Sequence, residues 1–198
     1  CGSSALVSAK TVRDHQRLAI ERFHEHFLQQ DRGRLIMACG TGKTFTALKI
    51  MEQQTDGKGL SLFLVPSIAL LNQALIAWMT DASISILPIC VCSDAKASRK
   101  RIQMNDSEDM AVVDLALPAT TDVNGVVKQL RQAQEAGVLS VVFSTYQSID
   151  VVSQAQAIMN ASAPGSCIFD LIVCDEAHRT TGVTLKDSGE SSFVKVHD

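Results

Sequence analysis

The stretch Met37-Ala38-Cys39-Gly40-Thr41-Gly42-Lys43-Thr44 decides how the rest of the chain is read. It follows a short apolar run, Leu35-Ile36-Met37-Ala38, read as a strand, and it precedes a helical pattern. Gly40 and Gly42 allow the backbone to curl so that its N–H groups converge on phosphate oxygens. A helix starting near Lys43 adds the positive end of its dipole. Lys43 can reach the β- and γ-phosphates as a point charge, and the Thr44 hydroxyl can ligate Mg²⁺. The general phosphate-loop pattern places a glycine at position 37, where this chain has Met37.

A second segment completes the idea. Phe169-Asp170-Leu171-Ile172-Val173-Cys174 is an apolar run ending in Asp175-Glu176-Ala177-His178. In a parallel sheet, ligands gather at the carboxyl ends of the strands, where these carboxylates would meet the phosphate loop. Asp175 is then placed to hold Mg²⁺, and Glu176 to orient and deprotonate an attacking water.

The remaining apolar runs, Leu60–Val65, 86–92, 110–117 and 138–143, are mostly continuous rather than alternating. Continuous runs suit strands covered on both faces. Helical stripes separate them: Gln16, Ile20, Phe23 and Phe27; Ile68, Leu71, Leu75 and Met79 behind a Ser67 cap; Val123, Val126, Val127 and Leu130 closed by Gly137; and Val151, Val152, Ala155, Ile158 and Met159. The expected fold is α/β, with a mainly parallel sheet and helices on both faces.

Composition sets limits. The 198 residues carry a net charge of −3, with 46% hydrophobic and 20% charged residues, which suits one globular domain and disfavours a broadly basic nucleic-acid-coating surface. A local basic stretch, Lys96, Arg99, Lys100 and Arg101, lies within the polar segment 93–109, read as a loop. The six cysteines show no CxxC pair or zinc spacing, and Cys90 and Cys92 read as buried apolar residues on one strand face, consistent with a reducing cytoplasm. No apolar run reaches the roughly 20 residues needed to cross a bilayer. Residues 1–10 read as an expression scar or a flexible N-terminus.

Asp175-Glu176-Ala177-His178 is a DEAH box, and together with the phosphate loop it resembles the first RecA-like motor domain of superfamily 2 helicases and translocases. That resemblance spans residues 11 to 182 by motif order. It implies adenine recognition by Gln16, within Arg13-Asp14-His15-Gln16, and nucleotide contacts at Gly40, Thr41, Gly42, Lys43 and Thr44. It implies catalytic roles for Lys43, Asp175, Glu176 and His178, with Thr44 and Asp175 on the metal. It also implies DNA backbone contacts near Ser67 and Thr145, in segments resembling motifs Ia and Ib. Strand-end hydroxyls and helix amides make such contacts without high net charge.

A narrower likeness comes from Asp175 through Gly182, Pro118-Ala119-Thr120-Thr121-Asp122 and Phe143 through Ile149. These strings resemble the motor of single-polypeptide type ISP restriction-modification enzymes and related bacterial defence helicases. The implied function is an ATP- and Mg²⁺-dependent DNA motor acting with a second motor domain of the same polypeptide. No Ser/Thr-Ala-Thr motif III and no second motor domain are found by Asp198, so residues 11–198 are expected to hydrolyse ATP poorly alone. Two other readings stay open: a P-loop ATPase that remodels proteins, and a non-catalytic nucleotide-binding module.

Overall fold

A computed structural model describes residues 10–92 and 117–177. Four strands form one sheet: β1 (Leu60–Val65), β2 (Ile86–Val91), β3 (Leu139–Thr145) and β4 (Leu171–Cys174), in the order β2-β3-β1-β4. Every pairing is parallel. Val65 pairs with Thr145 and Leu64 with Cys174, so the carboxyl ends of three adjacent strands finish level along one edge.

β1 and β3 are buried along their whole lengths, as their continuous apolar runs require. The pleat divides their side chains between two cores. Phe63, Val65, Val141 and Phe143 enter one core, with α1 (Asp14–Phe27), α2 (Lys43–Gln54) and α3 (Ile68–Asp81) packed over it. Leu62, Leu64 and Val142 enter the other, under α4 (Val123–Ala136) and α5 (Ile149–Ser162). Helices therefore cover both faces, as expected.

The helix boundaries follow local chemistry. Ser67 caps α3 by accepting from the Leu70 N–H at 3.3 Å, and Asp122 caps α4 by accepting from the Gly125 N–H at 2.7 Å. α4 stops at Gly137, whose φ of 65° is the left-handed conformation glycine tolerates best. In α3 the buried stripe is Leu71, Leu75 and Trp78, while Met79 faces outward. Cys90 and Cys92 share the first core as expected, and burial lifts the Cys90 thiol to about 12.

One expected strand is absent. The run 35–38 is not a strand: Ile36 is 90% exposed, and no described residue offers it a ladder partner. Without a neighbour, the backbone groups of so short a run have no sheet to join. The run 110–117 lies outside the described residues except for Leu117, which sits in a bend. The basic residues 96–101 lie outside them too. The last strand begins at Leu171 rather than Phe169; just before it, the Asp170 N–H donates to the Leu60 carbonyl at 2.8 Å and the Asp170 carboxylate accepts from the Leu60 N–H at 2.8 Å, fastening the mouth of β1.

α2 is fixed along its length. Near its middle the buried Lys49 ammonium donates to Glu52 at 2.9 Å, to Ser83 Oγ at 2.7 Å and to the Asp81 carbonyl at 3.1 Å. These bonds tie the helix to the α3–β2 turn. At its first turn, the Trp78 indole N–H donates to the Thr44 carbonyl at 3.0 Å. The indole is fully buried against Phe63 and Phe143, with ring centroids 4.8 and 5.4 Å away. Trp78→Phe keeps an aromatic ring but loses the bond and some volume. It is expected to cost about 1–3 kcal/mol, read as a lower urea midpoint; an unchanged midpoint would contradict this account of the packing.

Candidate nucleotide and strand-end site

α2 begins at the phosphate loop, and its cap is Gly42, with φ 84°. A glycine cap offers no side-chain acceptor to the first-turn N–H groups, which remain available to an anion. Gly40 also has positive φ, 75°. A side chain at Gly42 would come within 2.5 Å of Gln16 Nε2, so this position needs glycine for space as well as conformation. The loop turns tightly: Thr41 Oγ1 donates to the Ala38 carbonyl at 2.7 Å. Gly42 and Thr44 also line a cavity of about 200 Å³ with Phe45, Leu48, Gln73 and Trp78.

Gln16 reaches this loop from α1. Its side chain is 4% exposed; Oε1 accepts from the Arg13 N–H at 2.9 Å, and Nε2 donates to the Thr41 carbonyl at 3.0 Å. Both ends of the amide are engaged in this state, so reading adenine would require exchanging one of these bonds. The same Thr41 carbonyl accepts from His15 Nε2 at 3.0 Å, which requires the Nε2-protonated ring. Sequence spacing gives His15 no role of its own; its only signal is its place beside Gln16 at the start of the helix.

The other wall comes from the end of β4. The Asp175 N–H donates to the Leu64 carbonyl at 2.8 Å, continuing the β1–β4 ladder by one bond. The chain then turns sharply, with Glu176 in the left-handed region at φ 53°. For a non-glycine residue this conformation stores strain, of order 1–3 kcal/mol, and such strain clusters at functional sites. Asp175 Oδ1 accepts from the Glu176 N–H at 3.0 Å, and the Asp175 carbonyl accepts from the Tyr146 hydroxyl at 2.8 Å.

Lys43 and Glu176 meet across the gap, Nζ to Oε1 3.7 Å, each about one-third exposed. The structure thus brings together the loop and carboxylate segments that the sequence singled out separately. His178 lies outside the described residues. Thr44 contributes a hydroxyl and Asp175 a carboxylate, both hard oxygen donors suited to Mg²⁺. Among the described residues no group of three His, Cys, Asp or Glu could hold a metal by itself. These two donors could hold an ion that takes the rest of its shell from phosphate and water.

The two expected DNA-contacting residues sit at the carboxyl ends of β1 and β3. Ser67 is half-buried and its hydroxyl caps α3. Thr145 is 2% exposed, and its hydroxyl donates to Ser148 Oγ at 3.2 Å. In this state Thr145 shapes the turn rather than facing outward.

A family model described as type III restriction enzyme, res subunit, matches residues 9–188. The chain belongs to that family. Two solved structures are similar over 96% of the chain. One is a nuclease-deletion mutant of the type ISP restriction-modification enzyme LlaGI in complex with a DNA substrate mimic, 39% identical with a TM-score of 0.72. The other is the ATP-dependent type ISP restriction-modification enzyme LlaBIII bound to DNA, 40% identical with a TM-score of 0.78. A probable helicase of African swine fever virus (isolate Pig/Kenya/KEN-50/1950) is 28% identical over 174 residues, 87% of this chain. The chain spans 17% of that viral relative and 16% and 12% of the two solved chains. The fold is thus the RecA-like α/β motor fold that the sequence led us to expect.

Electrostatics at Asp175 make a test possible. Burial pushes its carboxyl above the usual range, opposed by the Glu176 N–H and reinforced by the Glu176 charge, with Lys43 pulling it back down. A carboxyl with a raised folded pKa favours folding most below its unfolded pKa, and that contribution is lost as pH rises through the folded value. Asp175→Asn is therefore expected to raise the melting temperature of the nucleotide-free protein at pH 7 in EDTA, and to flatten its gain in stability on mild acidification. A variant that melts lower, with the same pH dependence, would contradict this.

Proposed function

We propose that this chain is the first motor domain of an ATP-dependent DNA translocase or helicase within a restriction-modification or defence enzyme. The observation that carries the reading is the meeting of Lys43 and Glu176 at 3.7 Å, on the carboxyl edge of a parallel sheet, in a chain of this family. ATP phosphates would lie against the N-terminus of α2, held by the amides of Gly40 to Thr44 and by the Lys43 ammonium. Thr44 and Asp175 would hold Mg²⁺, which supplies charge neutralisation across the phosphates. Lys43 then exchanges its Glu176 partner for phosphate, and the released Glu176 carboxylate can take the proton of the attacking water. Gln16 would select adenine by trading its Thr41 bond for the base edge. His178 would pass the state of the site to a second motor domain of the same polypeptide, and strand-end groups near Ser67 and Thr145 would touch the DNA backbone. No helix among the described residues is long and apolar enough to cross a membrane; a cytoplasmic enzyme is the reading that fits its free buried thiols.

The test is ATP hydrolysis by the full-length protein with and without duplex DNA. The reading expects a rise of at least about tenfold, equivalent to about 1.4 kcal/mol off the barrier. No rise with any nucleic acid would favour an ATPase that remodels proteins. Lys43→Ala is expected to lower the DNA-stimulated rate by about 100-fold or more. Full retention of activity would point instead to a non-catalytic nucleotide-binding module.

A further inference from the structure

Tyr146 lies at the junction of two regions that the proposed function needs to communicate. It follows Thr145 directly, at the end of β3, on the loop assigned to the DNA side. Its hydroxyl nevertheless ends at the ATP side, donating to the Asp175 carbonyl at 2.8 Å. The bond spans a strand, because β1 lies between β3 and β4 in the sheet.

The ring cannot swing freely. Tyr146 is fully buried in the second core, with Leu64, Val142, Val152 and Cys167. A close-packed aromatic ring transmits a shift of its backbone rather than absorbing it. At the receiving end, the Asp175 carbonyl belongs to the peptide that leads into Glu176, the residue held at φ 53°. Bonds at that turn include Asp175 N–H to Leu64, Glu176 N–H to Asp175 Oδ1, and the Tyr146 phenol to the Asp175 carbonyl. The backbone and Oδ1 bonds are internal to the β1–β4 end, whereas the phenol bond comes from the β3 loop.

We propose that Tyr146 is a positioning residue that couples the β3-end loop to the Asp175-Glu176 turn, so that DNA engagement at the loop sets the aim of the Glu176 carboxylate. This rests on the DNA-motor reading above. Tyr146 would act without contacting phosphate or the attacking water. It acts through the Asp175–Glu176 peptide plane, whose rotation would shift Glu176 away from Lys43 and towards the water.

Tyr146→Phe in the full-length protein keeps the ring and removes the bond. The readout is the ratio of ATPase rate at saturating duplex DNA to the rate without DNA. The ratio is expected to fall about tenfold, roughly 1.4 kcal/mol of coupling. Saturating DNA removes any change in DNA affinity from the ratio. A purely structural role would lower both rates together and leave the ratio intact. A wild type stimulated by DNA, with a variant ratio within about twofold of it, would overturn this coupling and leave the DNA-motor reading standing. A wild type that no DNA stimulates would overturn both. Should the phenylalanine variant not fold, Ser148→Ala provides the second reading, since Ser148 Oγ accepts from Thr145 Oγ1 at 3.2 Å and sets the same turn. The same fall in ratio is expected, and an unchanged ratio overturns the coupling.

Discussion

The candidate site depends on β1 being buried on both faces and hydrogen-bonded on both edges. Leu60–Val65 has β3 on one side and β4 on the other, both parallel to it. Parallel pairing forces the chain to cross over between strands, and the crossovers place helices on both faces. It also aligns the carboxyl ends of the strands, where loops rather than helices connect and ligands gather. Asp175 is placed by a single further bond of that ladder, to the Leu64 carbonyl. Shifting β1 by one residue would exchange its two faces and move Asp175 away from the phosphate loop.

Around that strand, the two walls of the site are braced in different ways. The phosphate-loop wall is held by polar bonds from outside: Gln16 and His15 on the Thr41 carbonyl, Trp78 on the Thr44 carbonyl, and Lys49 on the α3–β2 turn. The carboxylate wall is held by the sheet and by Tyr146. Lys43 and Glu176 close the gap between them in this state. A partly exposed ion pair with a 3.7 Å separation contributes little stability. On the proposed function, it can be exchanged for phosphate at small cost.

Much of this was legible in the sequence for physical reasons. Gly40 and Gly42 mark a tight turn before a helix, and the structure gives them φ of 75° and 84° with a helix starting at Lys43. Continuous apolar runs such as Leu60–Val65 announce a strand covered on both faces, and the structure places β1 at those residues. The run 35–38 misled because apolar character specifies burial and strand propensity but not the presence of a neighbour to pair with. Met79 was assigned to a buried stripe that in fact passes through Trp78, one residue earlier in the sequence and about 100° away around the helix. The bracing bonds were not legible. Trp78, Tyr146 and His15 act through single donors aimed at backbone carbonyls distant in sequence, and neither periodicity nor motif spacing encodes such a bond.

The most direct test of the central claim is a structure of the full-length protein bound to Mg²⁺ and a non-hydrolysable ATP analogue. The account predicts the phosphates at the N-terminus of α2, the metal between Thr44 and Asp175, and Lys43 drawn from Glu176 onto the γ-phosphate. A nucleotide bound elsewhere, or phosphates bound with the Lys43–Glu176 pair still intact, would contradict it.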